Sequence, residues 1–288
     1  MTSADIYTKV TNQIIEAMEK GEKQFQMPWH STKAHITAPI NASSGRMYRG
    51  INAVSLWAAA RGRGFSTGFW ATYQQWKTLG AQVRKGEKSS DVVLWKTCEK
   101  AKDDGDEPDK FMIARGFAVF NADQVDGFVP EEIPELSESK RVQAAESFFA
   151  TLRLDVRYGG ERAYYDITAD YIQMPEYRRF RTASAFYSTL AHETVHWTGS
   201  EQRLNRDLKS RFGEQQYAAE ELIAELGAAF LAARIGGFAE PRGNHAAYLA
   251  SWLKLLRSDK RAIFTAASQA QKAVDWLCDR AQPTAVAA

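Results

Sequence analysis

Apolar residues recur at Ile6, Val10, Ile14 and Met18, the spacing of one helical face, so the chain opens on an amphipathic helix. Residues 24–45 break that periodicity with Met27-Pro28-Trp29-His30, Ala38-Pro39-Ile40-Asn41 and Ser43-Ser44-Gly45. A helix is expected over AVSLWAAARGRG, capped by Asn52 and closed by Gly62 and Gly64. Phe69-Trp70-Ala71 follows, then Thr72 as the cap of a short helix, YQQWKTLG. The basic turn from Val83 to Lys88 leads into a β-like run at 91–97. A second such run, 111–121, lies beyond the acidic loop KAKDDGDEPDK, and the two predict a long hairpin.

Prolines and acids in 126–139 mark a linker. A helix is predicted from about 140 to 151. Short strands follow at 154–158 and 163–165 around Gly159-Gly160, with a third at 170–174 stopped by Pro175. That third strand is the expected edge for an extended peptide. The remainder alternates on a helical period: SAFYSTLAHETVHWTG at 184–199, a polar connection at 200–214 with Asp207 in a turn, and YAAEELIAELGAAFLAARI at 217–235, closed by Gly236-Gly237. Helices at about 244–257 and 259–280, the latter capped by Ser258, end the pattern, and the last eight residues are expected to fray. The fold class is α+β: a small α+β domain at 1–125, a linker at 126–139, and a largely helical domain with a small sheet at 140–288.

Composition fits a globular chain, with 44% hydrophobic and 25% charged residues. No apolar run reaches the ~18 residues of a membrane helix, so no membrane partner is expected. Two distant cysteines, Cys98 and Cys278, have no metal spacing and imply no disulfide framework, which points to reduced thiols in the cytoplasm. Charge changes the picture more. Between Lys33 and Lys96 there are 10 basic and 2 acidic residues, a local +8 against +2 for the whole chain. Aromatics are interleaved with this block. Lys and Arg can follow phosphates while rings stack on unpaired bases. Arg46, Arg49, Arg84, Lys85 and Lys88 are the candidate phosphate contacts, and Tyr48, Trp70, Tyr73 and Trp76 the candidate stacking rings. Trp57 and Phe69 are assigned to the core.

The sharpest chemical signal is His192-Glu193-Thr194-Val195-His196. On a helix, positions i and i+4 share a face, so both imidazoles can meet one metal ion with Glu193 beside them. That pattern suits Zn2+, or another divalent metal, in hydrolysis, with Glu193 as general base. A third ligand has to come from elsewhere. The helix at 217–235 offers Glu220, Glu221 and Glu225. Glu221 is assigned to the metal and Glu225 to a supporting bond on a histidine ring, while Glu220 is read as negative charge suited to a helix N-terminus. His245, Tyr217 and Tyr248 are candidate substrate or oxyanion contacts, and His245 is a rival ligand.

These segments carry a family resemblance. GRMYRGIN at 45–52, WATY at 70–73, GAQVRKGEK at 80–88 and FNADQ at 120–124 resemble the N-terminal domain of ArdC-type antirestriction proteins, which is also similar to part of certain plasmid primases. HETVHWTGSEQRLNRDL, YAAEELIAELGAAFL and NHAAYLASWLKLL resemble the zincin-like metallopeptidase domain of the same family. The resemblance implies a plasmid-type protein that binds single-stranded DNA and protects incoming conjugative DNA from host restriction. It supports Glu221, because related zincins take an acid from the downstream helix. Host restriction proteins or DNA-bound proteins are the implied peptidase substrates. A DNA-associated metalloprotease acting outside restriction is the alternative, and protection by binding alone leaves peptidase activity unnecessary.

Overall fold

A computed structural model describes residues 3–22, 27–29, 39–100, 109–129, 137–206, 214–236 and 245–281. Helix α1 (Ser3–Glu22) buries the expected face, Ile6, Val10, Ile14 and Met18. It packs on α2 (Ile51–Arg63), which ends at Gly64 in the left-handed conformation (φ 71°) that glycine adopts without strain. Asn52 is not the cap of α2. The helix has already begun at Ile51, and the Asn52 amide faces a strand instead. It accepts the Val93 N–H (2.7 Å) and donates to the Val93 carbonyl (2.8 Å).

The main sheet runs in the order β1 (Ile40–Asn41), β2 (Phe69–Ala71), β5 (Asp109–Asn121), β4 (Ser90–Lys100). β4 and β5 form the expected antiparallel hairpin, registered from Ser90↔Val119 to Lys100↔Asp109. β4 is an edge strand, and an open edge invites pairing with other chains. Asn52 closes it at Val93, and the Ser55 hydroxyl donates to the Asp91 carbonyl (3.0 Å). Helix α3 (Tyr73–Thr78) begins at Thr72 with a full capping box: Gln75 N–H to the Thr72 hydroxyl (3.2 Å) and Thr72 N–H to the Gln75 side chain (2.9 Å). β3 (Gln82–Val83) pairs with β6 (Val125–Asp126), and Phe128 packs edge-on to Trp76. The first residues of the expected linker therefore pack with the segment before them, while 130–136 lie outside the described residues.

Helix α4 (Glu138–Thr151) is capped by Ser137. The small sheet that follows has the order β7 (Val156–Tyr158), β9 (Tyr171–Met174), β8 (Tyr164–Asp166). The segment at 170–174 is thus the central strand and not an edge. Its Ile172 and Met174 are fully buried, which places it between the two partly exposed strands. Among the described residues, β8 has an edge with no strand partner.

Four helices follow among the described residues: α5 (Ala183–Thr198), α6 (Glu214–Ile235), α7 (His245–Ser258) and α8 (Ala262–Ala281). The Thr182 hydroxyl caps α5 by accepting the Ala185 N–H (3.0 Å). Gly199 ends α5 at φ −78°, so no glycine-specific conformation is used there. Ser258 does not cap α8. It belongs to the last turn of α7 and donates back to Leu255, while the Asp259 carboxylate accepts the Arg261 N–H (2.8 Å). Among the described residues, no helix is long and apolar enough to cross a membrane.

One buried cluster contains residues from both sides of 126–139. Trp57 of α2 lies 5.6 Å, ring to ring, from Phe230 of α6. The Thr11 hydroxyl donates to the Lys260 carbonyl (2.7 Å), the Gly50 N–H to the Gln271 side chain (3.0 Å), and Arg257 pairs with Glu19.

Candidate metal centre

Helix α5 is buried along most of its length, including His192, Glu193 and His196. A histidine pair buried there needs polar partners, and α6 brings them. The two Nε2 atoms are 3.1 Å apart. Glu221 lies across from both, with one carboxylate oxygen 3.5 Å from His192 Nε2 and the other 3.4 Å from His196 Nε2. One ligand atom from each of the three residues falls within 4.8 Å of the others. Two imidazole nitrogens and a carboxylate converging on one point are a donor set for a borderline divalent cation. The approach of the helices depends on Gly227, where an added Cβ would sit 2.7 Å from Val195 Cγ2.

The far sides of both rings meet carboxylates too. His196 Nδ1 is 3.1 Å from Glu220 Oε1, and Arg206 holds Glu220 through Nη2 (2.9 Å) and Nε (3.2 Å). Arg206 also donates to the Val195 carbonyl (2.6 Å) and the Thr198 hydroxyl (2.9 Å), tying the end of α5 to Glu220. Reading Glu220 as a solvated charge at a helix start does not hold. The helix starts at Glu214, so Glu220 is already in its second turn, and its side chain is largely covered by His196 and Arg206. Glu225 Oε2 faces His192 Nδ1 at 3.8 Å, and its other oxygen accepts the Trp29 indole N–H (3.2 Å). Nδ1 partners of this kind orient a ring so that Nε2 is presented to a metal.

Sequence reasoning missed Trp29 and Arg206. Nothing local marks Trp29, and Arg206 sits in a polar connection. The signal for Glu220 was present: three acids within the otherwise apolar run YAAEELIAEL. Replacing Trp29 by Phe keeps an aromatic body and removes the N–H. Metal affinity is expected to fall about 10–100-fold, measured by calorimetric titration of the purified protein.

Charge follows the geometry. Burial disfavours a charged His196, but Glu220 and Glu221 outweigh it and push the imidazole up to about 10. Burial raises the Glu221 carboxyl, yet His192 and His196 hold it well below the usual carboxylate range. Glu220 is likewise depressed against burial, by His196 and Arg206. The metal-free centre therefore keeps a proton on His196 at neutral pH, whereas a metal ligand is neutral imidazole. About one proton should leave per ion bound near pH 8. Calorimetry in two buffers of different ionisation enthalpy measures it, and heats independent of buffer would contradict the assignment.

The centre opens on a cavity of about 620 Å³. Glu193 lines it beside His192. One wall is the β8 edge with Arg162, Tyr164 and Tyr165; the other carries Tyr217 and Tyr248, whose hydroxyls are 2.9 Å apart. Burial, the Tyr248 hydroxyl and Glu221 together raise the Tyr217 pKa, so it remains a proton donor at neutral pH. His245 is the first residue of α7, and its side chain lies outside those described, as does Asp207.

The candidate DNA residues differ in exposure. Trp70 (1% exposed) and Trp76 (0%) are core residues. Trp70 packs edge-on to Phe65, and the Trp76 indole donates to the Phe120 carbonyl (3.0 Å). Neither ring can stack on a base, which overturns that expectation; flanking β-structure draws both inward. Tyr73 is exposed, while Tyr48 is half-buried with its hydroxyl accepting from Asn41. Arg46, Tyr48 and Arg49 line a second cavity, of about 880 Å³, against α6 and α8, where Arg49 pairs with Asp275. Arg84 is held by Glu87 and Asp126, and Lys85 and Lys88 are exposed beside it.

Comparison with known proteins agrees with both halves. The family described as the N-terminal domain of anti-restriction factor ArdC matches residues 4–120, and the zincin-like metallopeptidase family matches 143–269. The crystal structure of the antirestriction ArdC protein from the R388 plasmid, metal-free, superposes with a TM-score of 0.78 at 42% identity, covering 96% of this chain and 98% of that one. Its Mn(II)-bound structure gives 0.76 with the same identity and coverage. The uncharacterized protein y4eC of Sinorhizobium fredii (strain NBRC 101917 / NGR234) is 49% identical over 283 residues, 96% of this chain and 92% of its own. DNA primase TraC of Escherichia coli is 36% identical across 94% of this chain, which spans only 27% of the primase. Both halves match in the same order and over nearly the full length, so the protein belongs to the ArdC family of antirestriction proteins.

Proposed function

We propose that this protein binds single-stranded DNA through its N-terminal half, shields incoming DNA from restriction, and holds one divalent cation between His192, His196 and Glu221. The convergence of two Nε2 atoms and one carboxylate, with Glu193 in the same cavity, carries the metal reading. Zinc suits this donor set, and manganese(II) is the ion named for the R388 relative. What such an ion supplies when bound is Lewis acidity toward a carbonyl and toward water. Glu193 is placed to accept a proton from water in the cavity. The Tyr217–Tyr248 pair is placed to donate to a developing oxyanion. An extended peptide could add to the free edge of β8 along the cavity wall. The DNA reading draws on the family and on the likeness to part of a DNA primase.

The test is Glu193→Gln. Metal content should be unchanged, while peptide hydrolysis should fall about 10²–10⁴-fold, the usual contribution of a general base. Conjugation into a restricting recipient is measured in parallel. Undiminished protection by the variant assigns protection to binding alone. The β8 edge beside the cavity would serve equally a second reading, cleavage of DNA-bound proteins independent of restriction. A benefit that persists in a restriction-deficient recipient would select it.

A further inference from the structure

The outward face of the β4–β5 hairpin breaks the usual alternation of a sheet. Its inner face packs on the core through Val93, Ala114 and Trp95. The opposite face should carry polar side chains toward water. At the start of β4 it buries Val92 and Val119 against Leu56 and Trp70, and beyond them it exposes Leu94 (56%), Phe117 (39%) and Ile113 (37%). Register fixes their neighbours. Leu94 lies directly across from Arg115, and Lys96 directly across from Ile113. Cross-strand partners share a face, so two exposed cations stand among three exposed apolar side chains. None of the exposed positions on this face, 94, 96, 113, 115 and 117, is acidic; Asp91 lies on the other face, paired with Lys9 of α1.

We infer that this face is a seat for single-stranded DNA, with a base stacked on Phe117 and phosphates paired to Arg115 and Lys96. The inference rests on the proposed DNA binding and locates it. An aromatic ring open on a sheet, with Arg115 one outward step away and Lys96 two (about 6.8 and about 13.6 Å along the strand), suits an unpaired base and its backbone. A duplex hides its base faces and cannot use the ring. The charge excludes an equally basic surface as occupant. Sheet extension by a second copy is blocked at the start of β4, where Asn52 and Ser55 already occupy the edge. The same face also supplies what burial removes from Trp70 and Trp76, a ring within reach of solvent.

The experiment is fluorescence anisotropy of labelled oligo-dT with the full chain. Phe117→Ala should weaken binding about tenfold or more, the size of one base stack, whereas Phe117→Tyr, which keeps the ring, should bind as wild type does. Lys96→Glu with Arg115→Glu should also flatten the salt dependence, by ~0.7 in slope for each phosphate no longer neutralised. An iodouracil-substituted oligonucleotide should cross-link to the tryptic peptide Gly116–Lys140. All three substituted positions are solvent-facing, and unchanged melting temperatures would confirm intact folding. If wild type binds but the variants bind equally, the seat is wrong and the DNA reading stands. If wild type binds no single-stranded DNA, both fall. A dimer in sedimentation that the Phe117→Ala variant dissociates would show that a second copy covers the face, which also overturns the seat.

Discussion

Glu221→Gln is expected to yield a folded protein that stays metal-free at ion concentrations that saturate the wild type. Glu221 is the carboxylate that faces both Nε2 atoms, at 3.5 and 3.4 Å. Glu220 and Glu225 are close by but address the opposite nitrogens of the two rings. Neither can take its place without turning an imidazole away from the other. Glutamine fills the same volume and keeps one carbonyl, yet it removes the negative charge that a divalent cation needs in a buried site. The loss should exceed the ~10–100-fold cost of removing a supporting group, and Glu220→Gln should stay within that range. Metal content after dialysis, with calorimetric titration, distinguishes them. Full metal occupancy in Glu221→Gln beside loss in Glu220→Gln would reverse the assignment.

The second large effect is expected far from any ligand atom. In an open helix, Gly→Ala stabilises by ~0.5–1 kcal/mol through backbone entropy. Gly227→Ala should do the reverse. The new Cβ would lie 2.7 and 2.9 Å from the two Val195 methyls. Val195 is β-branched, and such side chains keep one strongly preferred rotamer in a helix. It cannot swing aside, so α5 and α6 have to part. Overpacking of this kind costs ~1–3 kcal/mol, enough to exceed the propensity gain. Val195 sits between His192 and His196 on α5, so the same displacement widens the gap to Glu221. Both melting temperature and metal affinity should fall together, and Val195→Ala in the same chain should restore both. A rise in melting temperature for Gly227→Ala alone would show that the contact yields cheaply.

Local signals read correctly where the physics is local. Thr72 with Gln75 three residues on is a capping box in the sequence and in the structure. The hairpin across the acidic loop follows from alternation, and the two histidines share a face as i, i+4 spacing requires. The misses share a cause. Trp70 and Trp76 read as surface rings among cations, but short strands and α3 fold them inward. Asn52 has the composition of a cap, yet the edge of β4 takes its amide. The strand at 171–174 follows two others in sequence and sits between them in space. For Asn52 and the two tryptophans a distant partner decided the outcome, whereas for 171–174 the partners are near in sequence and it is their order in the sheet that no local window contains.

The bond from Trp29 to Glu225 spans 196 positions of the chain. During synthesis the indole therefore emerges long before its carboxylate exists, and the last supporting bond of the centre forms only after α6 has left the ribosome. Contacts of such long range are made late, because ordering the intervening chain comes first. On the proposed metal reading, full ion affinity is reached only once Trp29 and Glu225 have met, and a chain without that bond binds the ion about 10–100-fold more weakly.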